Sequence, residues 1–229
     1  MFNNAYLLTV VLLAMLGPKA ALINQWTDTK SEDLATKADL VIHFENVESE
    51  KIKNSFKKVM LRYHELHDCE ITLVQGPLSS STMQAQPIIK LAHIFGQTNK
   101  YRVRLALLVR DSKNIKVADL PADVLTGWFA HELGHLVDYR PYNNFQMLIY
   151  GFRYLVSGNF KVKVEHAADY IAISHGFRDE IIATKRFILE NDLVGDDYKE
   201  AIRRYYMPIE DVEIWQHEDV PGSPDTEID

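Results

Sequence analysis

The apolar and polar positions of this chain change period part-way along it. In the first half the short apolar runs have strand character. Positions 39–44 and 70–74 are such runs. Positions 101–110 are the clearest, with Tyr101, Val103, Leu105, Leu107 and Val109 alternating with Arg102, Arg104, Ala106 and Leu108. An amphipathic helical pattern over 48–67 separates the first two strands, and 76–87, with its Ser and Pro residues, reads as a loop. After position 120 apolar residues recur every three or four positions. This predicts a helix from Pro121 through Val137, then helices over 145–156, 162–175, 180–191 and 197–206, with a last short one after Pro208. Strands first and helices afterwards indicate an α+β fold: a small N-terminal mixed β-sheet with a helix, followed by a mainly helical half.

The ends of the chain differ from its middle. Positions 5–16 carry no charge and are followed by Gly17, Pro18 and the small residues Ala20 and Ala21. A dozen apolar residues are too few to span a bilayer comfortably but suit the core of a secretory signal. Residues 1–21 are therefore expected to be a signal peptide or an N-terminal anchor, and the protein to be exported: periplasmic, secreted or anchored. Membrane association is expected only if that segment stays uncleaved. Residues 22–216 fit one domain. Residues 217–229, acidic and with Pro221, Gly222 and Pro224, read as a disordered tail. A net charge of −7 argues against nucleic acid as a partner, and the lone Cys69 permits no intramolecular disulfide.

The chemistry concentrates in His131-Glu132-Leu133-Gly134-His135. Two histidines four residues apart on a helix are about 40° apart around its axis, so both rings can face one metal ion. Glu132 lies on the same side and reaches a water on that ion without binding it. From Trp128 to Val137 it is the only residue charged at neutral pH, so the helix should be buried, with the motif as its only polar groups. Two core histidines with an ion-paired glutamate are the bland alternative, but burying three such groups within five residues is unfavourable without a shared partner.

A catalytic zinc site needs a third protein ligand. Asp138 and Pro141 stand where the metzincin pattern would have glycine and histidine, which excludes that family. Downstream, Glu165 and Asp169 are one helical turn apart, with Ala168 and Ala172 beside them to admit a close neighbour, and His175-Gly176 marks a helix stop. His166, Asp169 and His175 compete with Glu165 for the ligand role.

The His131-Glu132-x-x-His135 motif followed by Glu165-x-x-x-Asp169 resembles the gluzincins, the thermolysin-like zinc peptidases, over two helices and the interval between them. The resemblance implies a zincin-like domain in which His131, His135 and Glu165 hold one Zn²⁺ and Glu132 is the general base. Asp169 would hydrogen-bond a zinc-binding histidine from behind, with His131 the expected partner. It also implies a peptide or protein substrate laid along an antiparallel edge strand, for which 101–110 is the best candidate, although that run could equally be interior. An oxyanion donor would come from Tyr150, Tyr154, Tyr205, Tyr206, His175 or His217. The same zinc chemistry could serve a non-peptide amide or ester, and a catalytically idle metal-binding protein is a third reading.

Overall fold

The computed structural model describes residues 40–78 and 80–215. The segments read as an export signal and as an acidic tail, and His217 with the latter, lie outside them. The fold is α+β, with a four-stranded mixed sheet leading into a mostly helical half.

Strands β1 (Val41–Glu45), β2 (Glu70–Gln75), β3 (Met83–Pro87) and β4 (Lys100–Leu105) stand in the order β1-β2-β4-β3. The first three in that order are parallel, and β3 runs antiparallel to β4 along the edge. The 101–110 run is therefore an interior strand, not an edge, and it stops at Leu105. Its alternation does hold that far: Tyr101, Val103 and Leu105 are buried while Arg102 is exposed. Beyond it the chain turns away through Asp111 and Asn114, both at positive φ. The edge position belongs to β3, within a stretch whose sequence reads as a loop. Only Met83 and Ala85 face the core there, between Gln84 and Gln86, so a short edge strand leaves little hydrophobic signal.

Between β1 and β2, helix α1 (Glu50–Met60) is capped by the Ser49 side chain and ends earlier than its pattern suggests, giving way to a 3₁₀ turn at His64–Leu66. Its Phe56 ring stands edge-on between Phe44 of β1 and Phe129 of helix α2 (Ala122–Tyr139), at centroid distances of 6.2 and 5.2 Å. Every α2 residue from Val124 to Leu136 is buried, as expected of a helix apolar on all sides. Against it pack α4 (Gly158–Ser174) and α5 (Arg178–Glu190), while α3 (Asn144–Val156) lies on α4, α6 (Asp196–Tyr205) on α4 and α5, and α7 (Ile209–Ile214) on α5. α4 begins one turn before its predicted start because Ser157 accepts a hydrogen bond from the Phe160 N–H. It ends at Gly176, whose φ of +79° closes the helix with Phe177 N–H on Ala172 C=O and Gly176 N–H on Ile173 C=O.

Candidate metal centre

Two glycines on α2 set how closely its neighbours approach. A Cβ on Gly134 would lie 2.6 Å from the Ala168 carbonyl oxygen of α4, and one on Gly127 would lie 2.1 Å from the Glu180 oxygen of α5. Gly134 is an internal residue of the histidine motif, so the motif carries its own clearance for α4. That contact brings Glu165 and Asp169 over the histidine face of α2.

The side chains of His131, His135 and Glu165, all buried, offer ligand atoms within 4.8 Å of one another. Glu165 Oε2 is 3.0 Å from His131 Nε2 and 3.5 Å from His135 Nε2. Metal–ligand bonds of about 2.0–2.1 Å in a tetrahedron place donor atoms roughly 3.3 Å apart, so these separations suit a small divalent cation. Two imidazoles and a carboxylate are also a donor set that such ions favour. The buried His135 Nδ1 has no hydrogen-bond partner, whereas both nitrogens of His131 are engaged.

Behind His131 stands Asp169, whose Oδ1 is 2.9 Å from His131 Nδ1. Its Oδ2 accepts from Lys185 Nζ at 2.8 Å and from the Met207 N–H at 3.2 Å. Burial would raise the Asp169 pKa, but Lys185 and His131 outweigh it and hold the group at about 2. Burial likewise disfavours a charged His131, yet its bonds to Asp169 and Glu165 raise its pKa to about 10. Glu165 is held well below the usual carboxylate range: burial opposes this, and hydrogen bonds to His131 and His135 overcome it.

Glu132 is also buried, and its Oε2 accepts a 2.6 Å hydrogen bond from the Ala85 N–H of β3. Desolvation raises its pKa, with His135 and His131 acting in the opposite sense. Beside Glu132 and His131 is a cavity of about 60 Å³, walled also by Met83, Trp128, Tyr198 and Tyr206. That is room for a few water molecules. A larger cavity, about 660 Å³, lies between Leu108–Lys113 and Asp192–Lys199 and includes none of these groups.

The remaining candidates fall in different places. Tyr154 donates its hydroxyl to Glu165 Oε1, and the Tyr206 ring is 5.2 Å from that of His131. Tyr150 donates to Asp138. His175 is turned away from the cluster: it stacks on Tyr63, pairs with Glu65 and hydrogen-bonds the Ile171 carbonyl. His166 is only half-buried and is not one of the converging donors. Lys185 was not anticipated from sequence, although it shares the buried stripe of α5 with Ile181, Thr184 and Ile188, where a cation is out of place. The Ala85 N–H is a backbone group and leaves no residue signature.

No protein-family model, curated protein or solved structure matches this chain. Among the described residues, the group His131–His135–Glu165 could hold a metal ion.

Proposed function

We propose that the chain is a zinc-dependent peptidase of gluzincin type, with one Zn²⁺ held by His131, His135 and Glu165. The observation that carries this reading is the convergence of those three donors with a second acid, Glu132, buried beside them and left out of the ligand set. A purely structural zinc site generally takes four protein ligands and has no use for such a carboxylate. Zinc held by these three residues would acidify water toward a pKa of about 7 and polarise a substrate carbonyl.

The chain's own residues supply the rest. Glu132 accepts the proton that water loses on attacking the carbonyl carbon, and delivers it to the amine nitrogen as the C–N bond breaks. Its raised pKa suits a group that must both take and release that proton. Asp169 fixes the His131 ring and makes it a stronger donor, while Tyr154 orients Glu165. With 101–110 interior, β3 takes over as the strand that would hold an extended substrate by backbone addition. Ala85 links that strand directly to Glu132. The apolar run at 5–16, acting as an export signal, would carry the enzyme out of the cytoplasm.

The small volume beside Glu132 favours a second reading, a hydrolase of a compact non-peptide amide or ester by the same chemistry. One experiment addresses both. Purified native protein should contain about one zinc per chain and cleave unstructured casein, and Glu132→Gln should keep the metal and lose cleavage. Metal retention with hydrolysis confined to small esters or amides selects the second reading. Unchanged hydrolysis in Glu132→Gln overturns both.

A further inference from the structure

Helix α3 has two apolar faces. Asn144, Met147 and Tyr150 are buried against the protein, whereas Leu148, Ile149, Phe152, Leu155 and Val156 are 39–66% exposed. These five, with Phe145, fall within about a third of the helix circumference, and no charged residue interrupts them. The patch extends past the helix end. Phe145 N–H donates to Ile94 C=O, and the Phe145 ring lies 6.0 Å from Phe95, which is 79% exposed. Contiguous apolar surface of this kind marks a site of interaction.

Charge identifies what it faces. The chain carries a net −7, yet positions 71–110 and 139–164 contain no Asp or Glu. Those two stretches supply the patch and four cations, Lys90, Arg153, Lys161 and Lys163, of which Arg153 stands on α3 itself, about 40° around the helix from Ile149. None of the four forms an ion pair with another described residue. Arg153 instead lies 4.2 Å from the Phe160 ring and Lys161 4.3 Å from that of Tyr205.

We propose that the outer face of α3, together with Phe95, docks the protein onto a membrane surface that contains anionic lipid. Aromatic and aliphatic side chains at the level of the headgroups, rimmed by lysine and arginine, are the pattern of interfacial helices. A second copy of the chain fits less well, because in a symmetric α3–α3 contact the 139–164 stretch brings Arg153 and no acidic residue to pair with it. The opposite side of α3 carries Tyr154, which holds Glu165, so docking sets the metal centre about one helix diameter behind the lipid surface. This inference uses only residues outside the centre and stands whether or not the centre is catalytic.

The test is co-sedimentation of the full chain with vesicles of phosphatidylcholine, with and without phosphatidylglycerol. Because the 5–16 run is itself apolar, every variant keeps it and full-length chains are compared. Phe95→Ser with Phe152→Ser and Leu155→Ser should lower partitioning onto anionic vesicles at least about tenfold. A control, Leu61→Ser with Ile214→Ser, alters exposed apolar residues elsewhere and should bind as the native protein does. Arg153→Glu, which reverses the cation beside the patch on α3, should weaken binding to anionic vesicles about tenfold and flatten its dependence on salt. Native-level binding by the triple variant, or no preference of the native protein for anionic vesicles, overturns the proposal. So does a triple variant that converts a native dimer to monomer while vesicle binding is unchanged, since the face would then serve self-association.

Discussion

Replacing Lys185 by methionine separates the support of the candidate centre from its ligands. The ammonium lies 2.8 Å from Asp169 Oδ2, and both side chains are at least 95% buried. Methionine keeps most of the volume, so the change removes charge without opening a large cavity. Asp169 then retains His131 on one oxygen and the Met207 N–H on the other. The displacement of the Asp169 pKa from 3.8 to about 2 corresponds to roughly 2–3 kcal/mol of stabilisation of its charged form, and Lys185 is its largest favourable source. Removing one partner of a buried ion pair costs about 3–5 kcal/mol in general. We expect Lys185→Met to lower the free energy of unfolding at pH 7 by about 3 kcal/mol and metal affinity by about 10- to 100-fold. The pH profile carries the same signature. A depressed carboxylate pKa contributes stability above the unfolded value near 3.8, and this is lost as pH falls toward 2. The native protein should therefore show an acid limb across that window that is shallower in the variant. Urea unfolding from pH 2 to 8 measures both effects, and zinc competition with a chromophoric chelator measures the affinity. A variant within about 0.5 kcal/mol of native, with equal metal affinity, would refute the reasoning.

Three further expectations concern the same centre. Gly134→Ala places a methyl 2.6 Å from the Ala168 oxygen, so it should destabilise by about 1–3 kcal/mol in thermal unfolding and reduce zinc retained on dialysis. Tyr154→Phe removes the hydroxyl bonded to Glu165. It should leave the fold intact and lower metal affinity by up to about tenfold in the same chelator competition. The metal-free His131 pKa of about 10 means that cation binding displaces a proton, and calorimetry in buffers of differing ionisation heat should count about one released at pH 7–8. In the metal-free protein that raised pKa stabilises the fold fully below pH 6.5, and the contribution is lost as pH rises through about 10.

The sequence made much of the helical half legible because several helices there carry their own punctuation. Pro121, Gly176 and Pro208 mark boundaries in residue types that can be read locally, whereas the Ser157 cap sits a turn ahead of the apolar pattern and moves the start of α4 with it. The convergence of Glu165 with the two histidines was also within reach, since Gly134, Ala168 and Ala172 announce a close helix crossing. What escaped depends on contacts between distant segments. β3 has two inward residues, too few to show a period, and its strand character comes from pairing with β4. For the same reason β4 looked available as an edge until a fourth strand covered it. Lys185 belongs beside Asp169 only because α5 packs on α2 through Gly127, and the Ala85 N–H reaches Glu132 only because β3 crosses α2.

X-ray absorption at the zinc edge of metal-loaded full-length protein examines the donor set directly. Two imidazole nitrogens and one carboxylate oxygen, completed by one further light atom at about 2.0–2.1 Å, are the predicted shell, and Glu165→Ala should lose one oxygen from it or fail to hold zinc. A spectrum of fully hydrated zinc, or one that Glu165→Ala leaves unaltered, would contradict the account.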